Sequence, residues 1–342
     1  MSDANLQVLL KSRPSGEPTL EDFELVERPI PVAQDGQVLT RTIYLSLDPY
    51  MRGRMNAGRS YAEPVKVGGV MCGGTVGQVV DSHHPGLRAG DFVLGAAGWQ
   101  AYGLESGETL RRLDPAQAPL SWFLGVLGMP GLTAYVGVRD ICRVKAGQSV
   151  VVSSAAGAVG SAAGQIARIL GAKRVVGTAG SDDKCRYVVG ELGFDACLNY
   201  KTADLPRELR QSCPEGIDAY FDNVGGAVLE AVCRQINVGA RIAIVGAISQ
   251  YNAAQLPPGP NPVFLLLKRA AMQGMLVSDY PHRQETFLAD VSAWLKAGRL
   301  KHREHFVEGL AAAPAAFLGL FRGESFGKLL VRVSPGPDAP RP

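Results

Sequence analysis

The stretch QSVVVSSAAGAVGSAAGQIARILGAKRVVGTAGSDDK, Gln148 to Lys184, decides how this chain folds. Between Lys145 and Arg168 the chain carries no charge. Such a run fits a membrane span, a buried helix, or a strand and helix wrapped around a phosphate. Alanine, glycine and serine dominate it, and these residues are too weakly apolar to drive insertion into lipid. Instead a β-branched strand, Val150 to Val152, leads into Ala155-x-Gly157-x-x-Gly160 and then into a helix. This is the dinucleotide fingerprint with alanine in its first position. Its glycines let the backbone approach a pyrophosphate, and the helix N-terminus offers N–H groups and partial positive charge. A tight structural turn is the bland alternative. The placement after a strand, before a helix and inside a βαβ unit favours the nucleotide.

The next strand, RVVGTAG, ends about 20 residues beyond the glycines, where an NAD site usually carries an acid for the ribose 2′-hydroxyl. Here Gly180 and Ser181 stand at that point. Asp182 and Asp183 follow, and they read as the first turn of a helix, where carboxylates suit the dipole. Lys184 lies one turn further on. A missing acid with a cation beside it favours a 2′-phosphate, hence NADP(H) over NAD. A solvated surface lysine is the other reading of Lys184.

The rest of the chain is organised around this unit. Its 342 residues exceed the usual size of one hydrophobic core, so two domains are expected. A net charge of +3 and the absence of any long Lys/Arg block argue against nucleic acid as a partner. The N-terminus lacks an apolar signal region, and no uninterrupted apolar span predicts a membrane helix. Six cysteines without CxxC spacing read as reduced thiols in the cytoplasm, and neither they nor the five histidines suggest a metal site. His83-His84 reads as solvated surface. Residues up to about 118 read as strands and turns of a partly open all-β barrel. LSWFLGVLGMPGLTAYVGVRDIC reads as two buried helices joined at Pro130. Strands and helices then alternate, as in a doubly wound parallel sheet, with AVLEAVCRQINVG read as one helix. RQETFLADVSAWLKAG is an amphipathic helix with Phe287, Val291, Trp294 and Leu295 on its apolar side. The Pro-rich end reads as disordered.

At this point the residues show a family likeness. SLDPYMRGRM, GWQAYG, GMPGLTAYVG, AAGAVGSAAGQIA, GIDAYFDNVGG, GAISQYNAAQLPPGPNP and FGKLLVRV occur in family order over nearly the whole chain. The chain resembles the zinc-independent medium-chain dehydrogenase/reductases. Within them it is similar to the leukotriene B4 dehydrogenase/prostaglandin reductase group, and most of all to bacterial NADPH-dependent curcumin reductase types. The resemblance implies an α/β fold in which a Rossmann domain, residues 129–304, is inserted in a GroES-like β-barrel domain, residues 1–128 and 305–342. It implies NADP(H) as cofactor, no metal, and a homodimer.

Residue by residue, the resemblance implies that Gly157, Ala158, Val159 and Gly160 cradle the pyrophosphate. Gly180, Lys184 and Tyr200 flank the 2′-phosphate, and Asn223 meets the ribose. Val245, Gly246, Ser249 and Tyr251 line the cofactor path. Met275, Leu276 and Val277 lie against the nicotinamide, with Met129 nearby. Ser325 stands where the family usually has asparagine, and its shorter side chain puts one cofactor hydrogen bond in question. The implied reaction is reduction of the C=C bond of an α,β-unsaturated ketone or aldehyde, with hydride going to the β-carbon. Charge then develops on the carbonyl oxygen, which calls for a donor. A neutral phenol, with an ordinary pKa of about 10, suits that role. Tyr251 is the first candidate and Tyr50 the second. For each, the bland alternative is a half-buried packing residue. Arg52 reads as the partner of an internal acid. Two alternatives stand beside this reading: an NADPH-dependent quinone reductase, and a non-catalytic NADPH-binding protein.

Overall fold

A computed structural model describes residues 4–58 and 60–337. The disorder expected of the Pro-rich end falls partly on residues 338–342, outside the described residues. The chain forms two compact units. The first holds Met1–Leu124, Glu304–Ser325 and Leu329–Pro342, and the second holds Gly125–Arg303 and Phe326–Lys328.

The second unit is built on six parallel strands: Ser149–Val152, Arg174–Ala179, Ala196–Asn199, Ile217–Asp222, Ile236–Ile244 and Ala271–Gly274. Numbered along the unit, their order in the sheet is 3-2-1-4-5-6, the doubly wound arrangement. The first strand is SVVV, buried at every position. That is the apolar run expected of a central strand covered on both faces. Helix Ala158–Ile169 turns its small residues inward. A side chain at Gly164 would collide with the Phe194 ring, so this helix packs closely because it carries glycine there.

The first unit carries a seven-stranded sheet and a separate antiparallel pair, Ala4–Leu10 with Phe23–Pro29. The long strand Gln37–Ser46 pairs with Thr75–Ser82, with Tyr102–Ser106 and with the returning C-terminal strand Lys328–Arg332. Its core centres on Trp99, fully buried, stacked on Phe23 at 5.7 Å and met edge-on by Phe317 at 5.6 Å.

Two expectations need correction, and one helix lies where none was expected. The apolar segment before the Rossmann unit is not two helices hinged at Pro130. It is a 3₁₀ turn, Leu120–Leu124, then a helix Met129–Val136 that runs into a π-turn, Gly137–Ile141. Pro130 sits in the first turn of that helix, where a missing N–H costs nothing. The helix expected over AVLEAVCRQINVG ends at Cys233, and Ile236 onward pairs as strand beside Ile217–Asp222. Sheet pairing there overrides the apolar helical spacing. Helix Leu205–Ser212, capped by Asp204, has no counterpart in the sequence reading. Its amphipathic LPRELRQS supplied a signal in Asp204 and Pro206 at its start.

Candidate cofactor and active site

The fingerprint lies at the C-terminal end of the first strand of the six-stranded sheet. Ser154 takes a left-handed backbone, φ 52°, rare for a residue with a Cβ. It turns the chain so that its carbonyl faces the next helix. A Cβ at Gly160 would collide with that carbonyl oxygen, and one at Gly157 would stand 3.0 Å from Ser154 Oγ. Gly157 is the N-cap, with no side chain bonded to the helix's first N–H groups. Gly157, Ala158 and Val159 are half-exposed, while Gly160 is buried. A cradle of this shape, backbone on one side and uncapped helix N–H groups on the other, fits a pyrophosphate.

One contributor to the turn comes from far along the chain. Gly327 donates its N–H to the Ala156 carbonyl at 3.0 Å and pairs with Gly157 as an isolated bridge. It holds φ 74°, and a Cβ there would collide with the Arg303 carbonyl. Phe326 beside it is covered by the Arg303 guanidinium at 4.2 Å and meets the Tyr187 ring edge-on. Sequence reading linked FGK to the cofactor only through Ser325. Ser325 itself falls in the first unit.

The second strand ends as expected, in Gly180 and Ser181. Ser181 caps helix Asp182–Gly190 by accepting the Lys184 N–H at 3.4 Å. Both carboxylates of the first turn have partners: Asp182 accepts from Asn199 Nδ2 at 2.8 Å, and Asp183 pairs with Arg186. Tyr200 places its phenol over Gly180, so that a Cβ there would stand 3.1 Å from the hydroxyl oxygen. The Lys184 ammonium has its pKa lowered by burial and then by Lys201. Lys201 is exposed and was missed by the sequence reading, although it follows Tyr200 directly.

Asp222 organises the loop after the fourth strand. Its carboxylate is fully buried and accepts from Tyr220 Oη at 2.7 Å, Ser153 Oγ at 3.0 Å, Val224 N at 2.9 Å and Gly225 N at 3.0 Å. Asn223 donates Nδ2 to the Ser153 carbonyl at 2.7 Å. The Asp222 carbonyl accepts from Val245 N at 2.9 Å, and Met275 N donates to the Ile244 carbonyl at 3.0 Å. The C-terminal ends of four strands thus meet around Ser153, Asn223, Val245 and Met275, the crevice side of a doubly wound sheet. Met275 is buried, while Leu276 and Met129 are exposed. The helix that begins at Met129 packs beside Val277–Asp279. Ser249 donates to the Val224 carbonyl at 2.6 Å.

Tyr251 is half-buried in the same unit. Its hydroxyl oxygen accepts the Ala247 N–H at 3.3 Å, which leaves the phenolic proton for another acceptor. A Cβ at Gly246 would stand 3.4 Å from that oxygen. Burial pushes the phenol's pKa up, a push that Ala247 opposes and Asp222 adds to. Tyr50 belongs to the first unit, next to helix Met51–Arg54 and against the cluster of Met51, Met55 and Trp99. Burial, and then Asp48, drives its pKa far above the ordinary tyrosine range. Arg52 does not pair with an internal acid. It donates to Asn56 Oδ1 and to the Gly16 carbonyl, both at 2.7 Å, and Asp22 acts on it only through space. The guanidinium keeps its charge, and these two acceptors, an amide and a carbonyl oxygen, satisfy two of its N–H groups. His84 is less solvated than expected: its ring meets Glu108 at 3.1 Å and its side chain is 16% exposed. Among the described residues no group of three or more His, Cys, Asp or Glu is placed to hold a metal ion.

A Rossmann sheet with this turn, joined to a separate β unit, defines a dehydrogenase/reductase of two units. Residues 6–113 match the family model described as the N-terminal domain of oxidoreductase, and residues 158–295 match the one described as zinc-binding dehydrogenase. The chain belongs to the medium-chain dehydrogenase/reductases, in the group of the curcumin, prostaglandin and 2-alkenal reductases. It is 48% identical to the NADPH-dependent curcumin reductase of Escherichia coli (strain K12), covering 96% of this chain and 97% of that one. It is 41% identical to the NADP(+)-dependent 2-alkenal reductase of Nicotiana tabacum, over 97% of this chain and 98% of that one. The crystal structure of CurA from Vibrio vulnificus in complex with NADPH superposes with a TM-score of 0.93 at 48% identity, covering 97% of this chain and 100% of that one.

Proposed function

We propose that this protein is an NADPH-dependent reductase of the C=C bond of α,β-unsaturated ketones and aldehydes. The carrying observation is the end of the second Rossmann strand: Gly180 under Tyr200, two carboxylates already bonded elsewhere, and Lys184 beside Lys201. Two ammonium groups within reach of each other are stabilised by a dianion, and a ribose 2′-phosphate is one. Likeness to a 2-alkenal reductase and to an NADPH-bound structure supports the same reading.

When bound, NADPH supplies the hydride that reaches the β-carbon. The chain's own work is to bind, orient and donate. Gly157, Ala158, Val159 and Gly160 hold the pyrophosphate, and Gly180, Lys184, Tyr200 and Lys201 hold the 2′-phosphate. Asn223 keeps its Oδ1 for a ribose hydroxyl. Val245, Gly246 and Ser249 line the path, and Met275, Leu276, Val277 and Met129 give the nicotinamide an apolar bed. Tyr251 donates its proton in a hydrogen bond to the substrate's carbonyl oxygen as charge grows there. Tyr50, as a substrate residue, and Ser325, as a cofactor residue, rest on the family resemblance alone.

The test follows nicotinamide absorbance with a panel of enones and quinones. Enone turnover with NADPH supports the reading, and cofactor binding without turnover of any acceptor sinks it. Lys184→Ala should raise KM for NADPH about 10- to 100-fold, since a charged hydrogen bond contributes about 1.5–3 kcal/mol. KM for NADH should stay unchanged. An equal rise for both cofactors would instead mean general damage to the fold.

A homodimer is part of the proposal. Strand Ala271–Gly274 is the edge of the six-stranded sheet, and the helix Val263–Lys268 before it exposes Val263, Leu266 and Leu267. An open edge beside an apolar helix suits a second copy of this chain. Sedimentation should give twice the 36.3 kDa of the chain, and the double variant Leu266→Glu, Leu267→Glu should halve it. A parent protein that sediments as a monomer at micromolar concentration rejects the dimer. No helix among the described residues is long and apolar enough to cross a membrane. The free cysteines suit the reducing cytoplasm, which we propose as its location.

A further inference from the structure

Two thiols face each other just behind the residues proposed for the 2′-phosphate. Cys185 lies on helix Asp182–Gly190 and Cys197 on strand Ala196–Asn199. Their side chains are hydrogen-bonded to each other. Both are half-buried, and both line an open cavity of about 320 Å³ with Asp182, Arg186 and Glu208. Solvent and small solutes therefore reach the pair. By contrast Cys142, Cys213 and Cys233 are buried, and Cys142 gives its proton to the Tyr220 carbonyl at 3.4 Å.

The hydrogen bond divides the roles of the two sulfurs. It lowers the pKa of Cys185 and, together with burial, drives that of Cys197 far up. An accessible thiol with a lowered pKa, next to a second thiol in the same cavity, is the arrangement of a redox-sensing pair. Free thiols in a reducing compartment form disulfides transiently, which suits a reversible device.

We propose that Cys185 and Cys197 are an oxidation site for hydroperoxides, closing to a disulfide that weakens NADPH binding. The Cys185 thiolate attacks the outer peroxide oxygen. An S–O bond forms, the O–O bond breaks, and an alcohol leaves after taking up a proton. Cys197 then attacks the resulting sulfenic acid. An S–S bond forms, the S–O bond breaks, and hydroxide leaves as water with the Cys197 proton. In sum, two thiols and one hydroperoxide give one disulfide, one alcohol and one water. The sulfurs together lose two electrons, and the peroxide gains them.

The link to the cofactor is positional, and it rests on the reading of Lys184 and Tyr200 as the 2′-phosphate site. Lys184 directly precedes Cys185, and Tyr200 follows the strand that carries Cys197, its N–H bonded to the Ala179 carbonyl at 3.1 Å. A disulfide draws two hydrogen-bonded sulfurs to about 2.05 Å. The first turns of the helix are thereby pulled toward the strand, and the spacing of Lys184 from Tyr200 changes.

The test treats the intact, reduced protein with tert-butyl hydroperoxide. Mass spectrometry identifies the cross-linked peptides, and fluorescence titration gives the NADPH affinity. The expected result is a Cys185–Cys197 disulfide and a Kd for NADPH raised about tenfold, within the usual range of coupling between sites. Dithiothreitol should restore the affinity. Cys197→Ala should bind NADPH normally when reduced, form no disulfide, and accumulate a sulfenic acid on Cys185 that dimedone traps. Failure to form the cross-link, or a cross-link with unchanged NADPH affinity, overturns the proposal. Reduced Lys184→Ala separates the two readings. If NADPH binding is unaffected there, the 2′-phosphate assignment fails. If it weakens there but not in the oxidised parent, the switch fails.

Discussion

Replacing Asp222 with alanine is expected to destabilise the Rossmann unit by about 4 kcal/mol, the larger end of what a single substitution does. The reason lies in what the carboxylate holds. It is fully buried and accepts from the Tyr220 and Ser153 hydroxyls and from the Val224 and Gly225 N–H groups. Alanine strands these donors away from water, and each unsatisfied buried group costs about 1–3 kcal/mol. Some relaxation and water entry reduce the sum, hence the figure near the middle of the range for breaking a buried charge network. Asp222→Asn keeps one oxygen acceptor and should lose about half as much. Urea midpoints of the three proteins measure this directly. A loss below about 1 kcal/mol for alanine would mean that water replaces the carboxylate and leaves no donor stranded. NADPH affinity should fall with it, because the Asn223 N–H donates to the Ser153 hydroxyl, which the Asp222 carboxylate holds in place.

Tyr251→Phe is expected to lower kcat about 100-fold with little change in KM for NADPH, the effect of removing one donor from a developing oxyanion. Phenylalanine keeps the ring and its packing and removes only the hydroxyl. The Ala247 N–H then loses its acceptor, a smaller effect on stability of about 1 kcal/mol. Burial raises the tyrosine's pKa above its ordinary value of about 10, so the phenol keeps its proton throughout the neutral range. The rate should therefore show no loss from phenol ionisation between about pH 6 and 9. A Phe variant within twofold of the parent would rule Tyr251 out as the donor. Tyr50→Phe is the next test, and a drop there with Tyr251→Phe unaffected would move the role to the first unit.

The phosphate turn could be read in the sequence because its requirement is local. Gly160 must be glycine since the Ser154 carbonyl six residues back occupies the space of a Cβ. Asp182 and Asp183 could be assigned to a helix start because capping and dipole act within one turn. The helix expected over AVLEAVCRQINVG failed where locality ends. Ile236 and the residues after it have apolar spacing compatible with either state, and pairing with Ile217–Asp222 decided for strand. Arg52 failed likewise, since a sequence does not show which carbonyl or amide a buried guanidinium meets.

By itself the sequence determined a nucleotide turn, an alternating strand–helix unit after a β-rich segment, and a strand end without the acid of an NAD site. These follow from backbone sterics, hydrophobic period and charge, each acting over a few residues. Only the tertiary structure decided that Asp222 is the hub of the loop, that Gly327 closes on Gly157, that Lys201 stands by Lys184, and that Cys197 meets Cys185. Those contacts arise when the sheet brings strand ends and distant segments together. Burial then makes each polar group find a partner that no local pattern specifies.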